Sequence, residues 1–363
     1  MTKVNSKVLF DAAREHRFII GAFNFRHPNG IRGVAEAARE LEAVYLPELA
    51  KSELGYTGWT VQSFHDMVIE LNEKAGNDCP FGIHGDHVTI KSTDESEIES
   101  ARKLLVEQIN AGWTSMAVDA SYNENEDNLR ITTYLSRLVN DAGLGLEVEI
   151  GEIGGKGGFS TPEEAAWFVG GLVEAGIEPD LLAINNGSVH GNYGPGSQEG
   201  IQLDLTRRIG EAIEPWKVTI AQHGITGTPL DKIGQFTECN ITKGNVGTLW
   251  QNINFGLAMD DHGNTLFDDQ GHFIKLEDEG LPMDLWGEFL DYMDQKGISR
   301  GSGDIKKLNE PFRQAMLDIG PEYHNRINSR AREWALDIFK AVGADGKAGI
   351  CRELARKGGY RPV

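Results

Sequence analysis

The sequence predicts an α/β fold, a (β/α)8 or TIM barrel followed by a C-terminal helical extension. Three observations predict it: eight short β-rich segments recur, amphipathic helical patterns fill the intervals, and the first strand is followed by NFRHPNG rather than GxGxxG. An open, doubly wound sheet more often stops at five or six strands and carries a glycine-rich first turn, so the closed barrel is favoured.

Taken in order, the strand candidates are RFIIGAFN near 17–24, AVYLPE near 43–48, PFGIHGD near 80–86 and TSMAVD near 114–119. LGLEVEIG near 144–151, DLLAINNG near 180–187, KVTIAQHG near 217–224 and NITKGN near 240–245 complete the set. Between them, GIRGVAEAARELE, DESEIESARKLLVEQINAG and NEDNLRITTYLSRLVNDAG repeat apolar residues at three and four, and the last two close on a glycine. After position 250 the pattern changes to a turn-rich stretch, LWQNINFGLAMDDHGNTLFDDQGHF, and then to the helical GLPMDLWGEFLDYMDQKG and EYHNRINSRAREWALDIFKAVGA. The chain is read as one domain over residues 1–363, with the barrel at about 15–255 and the extension at about 256–363. The Trp, Leu and Phe positions of the extension need cover, from the barrel or from a partner subunit.

The 363 residues can bury a large core. Lys and Arg number 35 against 55 Asp and Glu, a net charge of -20, which argues against nucleic acid and anionic membrane surfaces as partners. Cys79, Cys239 and Cys351 lack CxxC spacing, which points to a reducing compartment and inert thiols. The N-terminus has no apolar signal-like stretch, and no run of about 18 apolar residues occurs, so a soluble, cytoplasmic protein is expected.

In a barrel of this kind the chemistry stands at the C-terminal strand ends. Those ends carry Asn24; His84, Asp86 and His87; Asp119 and Ser121; Glu147, Glu149 and Glu152; Asn185, Asn186 and His190; His223; and Asn245. Histidines on three strands with a carboxylate on another form the ligand inventory of a divalent metal site, and imidazole with carboxylate suits zinc. Glu147 and Glu149 share one strand face by alternation, so either is a candidate to reach it.

The segments GIHGDHV, LEVEIGEIGG, NNGSVHGNYGPG, AQHGITG and KGNVGT, in this order, resemble the zinc-dependent class II aldolases, which include the fructose-bisphosphate and tagatose-bisphosphate enzymes. The resemblance runs over roughly residues 5–340. It implies a metal-dependent aldolase, a carbon–carbon lyase that works through a zinc-stabilised enediolate on a hydroxylated keto substrate. Asp86 then matches the general acid/base, His87, His190 and His223 the zinc ligands, and Glu149 the carboxylate that also approaches the zinc. Asn24, Gly191, Gly224, Thr226, Asn245 and Thr248 form the substrate-binding set. Within it, Gly191 also falls in a segment that helps bind a monovalent cation, and Asn245 matches the asparagine that holds substrate hydroxyls. His84 matches a histidine whose role is mainly structural.

Departures from the pattern bear on the substrate. The lysine after the HGxY segment is gone, since Gly194 follows Tyr193; the NIDTD acids are replaced in Asn245-Val246-Gly247-Thr248-Leu249. The arginine of a C-terminal DPR segment corresponds to Phe312 in Glu310-Pro311-Phe312, with Arg313 next door. The glycine-rich loop from Gly151 to Gly158 lacks the usual acidic pair and carries Lys156, while Glu48 and Lys51 end strand two as candidates to line the mouth. Phosphate recognition is therefore expected to be altered, with Arg26, Lys51, Lys156 and Lys243 as candidate replacement cations. Two alternatives share the same residues: a zinc-dependent ketose epimerase or isomerase, and a noncatalytic aldolase-like accessory subunit. The latter is disfavoured by the presence of Asp86 and the three histidines. A small keto or aldehyde substrate and a homodimer or homotetramer complete the expected partners.

Overall fold

The computed structural model describes residues 3–151, 158–188 and 200–363. Eight parallel strands close into a barrel in sequence order: β1 (Ile20–Asn24), β2 (Tyr45–Ala50), β3 (His84–Thr89), β4 (Ser115–Asp119), β5 (Gly145–Ile150), β6 (Leu181–Ile184), β7 (Thr219–Gln222) and β8 (Ile241–Val246), which returns to pair with β1. Every residue of β1, β2 and β4–β8 is buried, as strands covered by helices outside and packed side chains inside require.

The helical patterns fold where their spacing placed them, at Ile31–Glu40, Glu95–Asn110 and Asn125–Asp141. Elsewhere the starts are fixed by side-chain caps: Thr60 accepts from the Ser63 N–H before helix Val61–Lys74, and Thr161 from the Glu164 N–H before Pro162–Glu174. The first helix, Ser6–His16, is tied to the start of β4 by a 2.7 Å hydroxyl contact between Ser6 and Thr114 and to Asp180 by the Lys7 ammonium at 2.9 Å.

The extension packs on its own barrel. Arg313 stacks over the Trp59 ring at 3.8 Å and donates to the Thr57 carbonyl, while Leu285, Trp286 and Phe289 of helix Met283–Lys296 are buried. The long helix Pro321–Ala341 crosses Ile31–Glu40 at Gly33, whose N–H donates to the Asn328 side chain at 3.0 Å and whose missing Cβ would collide with the Asn328 carbonyl. Gly33→Ala is expected to lower stability by ~1–3 kcal/mol in urea titration, because forcing two backbones apart outweighs the roughly 1 kcal/mol of helix propensity that alanine adds. An unchanged midpoint would show that the crossing yields freely. All three cysteines are free and buried.

One irregularity in the barrel positions the chemistry. Along β3 and β4, Gly85 pairs with Met116 but Val88 with Val118, so β3 holds one residue more than its neighbour. The extra residue is accommodated at His87, whose φ of 38° lies in the left-handed region that non-glycine residues seldom adopt. Strict alternation would send Asp86 and His87 to opposite faces; the bulge brings both to the barrel mouth.

Candidate active site

The mouth opens into a cavity of about 560 Å³. Asn24, Asp86, His87, Glu149, His223, Gly224, Thr226, Asn245 and Thr248 all line it, from five strands and the turns after them. His190 and Gly191 lie outside the described residues, as do Glu152 and Lys156.

At its centre two imidazoles face each other, with His87 Nε2 and His223 Nδ1 2.7 Å apart. The outer nitrogen of each ring is held by carboxylates: His87 Nδ1 by Glu149 at 3.0 Å and Asp119 at 3.3 Å, His223 Nε2 by Glu147 at 2.8 Å. Burial works against a charge on His87, but Asp86, Glu149 and Asp119 outweigh it and hold its pKa well above the usual imidazole value. His223 is held below its usual value, by burial first and then by the His87 charge. Burial and the neighbouring Asp119 charge push Glu149 up to about 8. Inner nitrogens converging on one point, with outer nitrogens fixed by acids, fit a divalent cation, and a carboxylate oxygen of Asp86 stands beside them, 3.9 Å from His87 Nε2.

Asp86 is held from two sides. The side-chain amides of Asn24 and Asn245 donate to its two oxygens at 2.9 and 3.1 Å. Burial opposes its ionisation, yet the charges of His87 and Lys243 outweigh it and keep the group well below the usual carboxylate range. His84 is fully buried and bonded to Ser115 at 2.8 Å; burial and Lys243 lower its pKa to about 4. Asn186 bonds Gln222 across β6 and β7, and Ser121 braces Asp119. His84 begins β3 rather than ending it as the sequence predicts, whereas Asn186 and Ser121 follow the ends of β6 and β4; all three support the site without lining the cavity.

Two expectations are corrected. Lys243 is not a cation of the mouth, because it lies wholly buried in the barrel interior between Glu48 at 3.1 Å and Glu147 at 2.9 Å. Glu48 is its partner there and does not line the mouth either. Depth along the barrel axis explains both: Lys243 shares its strand face with Asn245, and Glu48 with Ala50, but each stands two residues further from the mouth than the neighbour that lines the cavity. Lys51 does line the cavity, donating to the Thr89 carbonyl at 2.6 Å, and so does Arg26, which bonds Glu53 at 2.8 Å and Gln251 at 3.0 Å. Glu53, Tyr56 and Lys306 also line it and were not singled out by the sequence. Glu53 was legible as an acid in the first turn of helix Lys51–Thr57, whereas Lys306 comes from the distant extension and has no local signature.

A closed parallel barrel whose titratable side chains converge at the C-terminal mouth around an imidazole pair able to hold a metal ion has the form of a barrel enzyme acting on a small molecule. Residues 4–280 match the profile of fructose-bisphosphate aldolase class-II. A fructose-bisphosphate aldolase of Streptococcus pyogenes serotype M1 is 29% identical over 255 residues, 68% of this chain and 80% of the relative; that of Ureaplasma parvum serovar 3 is 26% identical over 260 residues, 71% and 83%. Among solved structures, the YdjI aldolase from Escherichia coli K12 superposes with a TM-score of 0.61 at 19% identity, covering 95% of this chain and 99% of its own. The fructose-bisphosphate aldolase from Campylobacter jejuni gives 0.61 at 18%, covering 95% and 97%. The chain belongs to the class-II fructose-bisphosphate aldolase family, and is an aldehyde-lyase of that class. Among the described residues no helix is long and apolar enough to cross a membrane.

Proposed function

We propose that the cavity catalyses aldol cleavage or formation with zinc as its cofactor, on a hydroxylated keto substrate whose phosphate, where it has one, is recognised differently from that of fructose bisphosphate. The observation that carries this is the pair of converging imidazole nitrogens, backed by Glu149, Asp119 and Glu147, directly beside an ionised Asp86. His87 and His223, with His190, would hold the ion, and Glu149 would orient His87 from behind. Bound there, zinc supplies a Lewis acid that polarises a substrate carbonyl.

The protein's own groups do the rest. Asp86, ionised and fixed by Asn24 and Asn245, accepts the proton of the substrate hydroxyl in cleavage and returns it in synthesis. Gly224, Thr226 and Thr248 line one wall, where Thr248 begins helix Thr248–Phe255 and turns its N-terminal end toward an anionic or hydroxyl group of the donor. Arg26, Lys51, Lys91 and Lys306 line the cavity and are the cations available to a substrate anion among the described residues. Gly191 would help hold a monovalent cation. The reading further takes residues 1–363 as one domain and the protein as cytoplasmic and homo-oligomeric, a dimer or tetramer. Exposed Leu266, Phe267, Ile274, Leu276 and Met283 on the extension support the last point.

The test is exchange of donor C–H for deuterium by zinc-loaded protein, followed by NMR on dihydroxyacetone phosphate, dihydroxyacetone, hydroxyacetone and pyruvate with and without chelator. Chelator-sensitive exchange on an unphosphorylated donor is expected. Exchange confined to dihydroxyacetone phosphate would overturn the altered-phosphate proposal, and silence on all four would remove the donor half-reaction from this site.

A further inference from the structure

Beneath the two imidazoles the barrel interior holds charges where such barrels normally pack branched aliphatic side chains. Lys243 of β8 lies between Glu48 of β2 and Glu147 of β5, and all three are at most 1% exposed. Burying ions is costly, and replacing a buried pair by apolar residues is often neutral or stabilising, so core stability alone gives little reason for this arrangement. Its geometry supplies a reason. Glu147 contacts Lys243 with one oxygen, Oε2 at 2.9 Å, and His223 Nε2 with the other, Oε1 at 2.8 Å. His84 Nε2 lies 3.4 Å from Oε2, so the carboxylate is fixed from three directions.

We propose that Lys243 and Glu147 form a positioning pair for His223. Lysine anchors the carboxylate, the carboxylate accepts the Nε2 hydrogen, and the Nδ1 lone pair is thereby aimed at the space beside His87 Nε2. An anion this deep is tenable because a cation meets it, and Glu48 holds that cation from the far side of the barrel. Outer partners that fix the tautomer and orientation of a ligating histidine commonly contribute 10- to 100-fold to metal affinity. Glu147 does this for His223 directly, and Lys243 does it through Glu147. The inference rests on the zinc reading above.

Zinc affinity measured by chelator competition, and the visible absorption of the cobalt-substituted protein, test it. Lys243→Met is expected to weaken zinc roughly 10- to 100-fold and to alter the cobalt spectrum. Glu147→Gln should weaken zinc to a similar degree. Because the lysine acts only through the glutamate, the charge-neutral double variant should bind zinc no more weakly than Glu147→Gln alone. Zinc affinity within twofold of wild type in folded Lys243→Met overturns the proposal. Should that single variant not fold, a double variant binding zinc more than tenfold more weakly than Glu147→Gln overturns it equally, since the lysine would then act by another route. Failure of the zinc reading itself looks different: His223→Ala would then bind zinc as well as wild type.

Discussion

Asp86→Ala is expected to load zinc normally and to lose aldol cleavage by roughly 10²–10⁴-fold, the usual contribution of a positioned acid/base group. The expectation comes from how completely the residue is committed. Both carboxylate oxygens accept an asparagine amide, and surrounding positive charge keeps the group ionised although it is buried. An ionised carboxylate beside the two converging imidazoles is placed to take a hydroxyl proton. Alanine removes that acceptor and leaves His87, His223 and their carboxylates in place. Steady-state cleavage measured at matched zinc occupancy decides it. Turnover within a few-fold of wild type would end the acid/base assignment, and a parallel loss of zinc would move Asp86 into the metal's own ligand set.

His87→Ala should be the more damaging change, abolishing turnover and weakening zinc by more than the roughly 100-fold that loss of an outer partner costs. His87 gives one nitrogen to the convergence point and the other to Glu149 and Asp119. Under the proposed function, removing the ring takes away one metal ligand, and it also takes from Glu149 and Asp119 the imidazole that both contact. Chelator competition and activity titrated with added zinc should fall together. A His87→Ala protein that holds zinc within tenfold of wild type would place the metal elsewhere.

Much of this site was legible in one dimension. GIHGDHV, AQHGITG and KGNVGT supply Asp86, His87, His223 and Asn245, all of which line the mouth, because a closed barrel gathers the C-terminal parts of its strands there; His84, which begins β3, stays below it. Other features were not legible. Whether Glu147 or Glu149 would reach the metal region could not be separated by alternation, because both turn inward; they differ in depth, one standing behind each histidine. Lys243 read as one of the candidate replacement cations for a substrate anion, and only the depth of its side chain along the barrel axis reassigns it to the core.

The sequence by itself determined the eight-strand alternation, the segments that carry the chemistry and the family they resemble, since period and strand-end composition are local properties. Tertiary structure alone decided three things. The bulge at His87 turns consecutive residues into one site, the extension carries Lys306 back across more than two hundred residues to the mouth, and the barrel interior pairs Lys243 with acids from β2 and β5. Each depends on distances between elements far apart in the chain. No local pattern records such distances, because they are fixed only when the barrel closes.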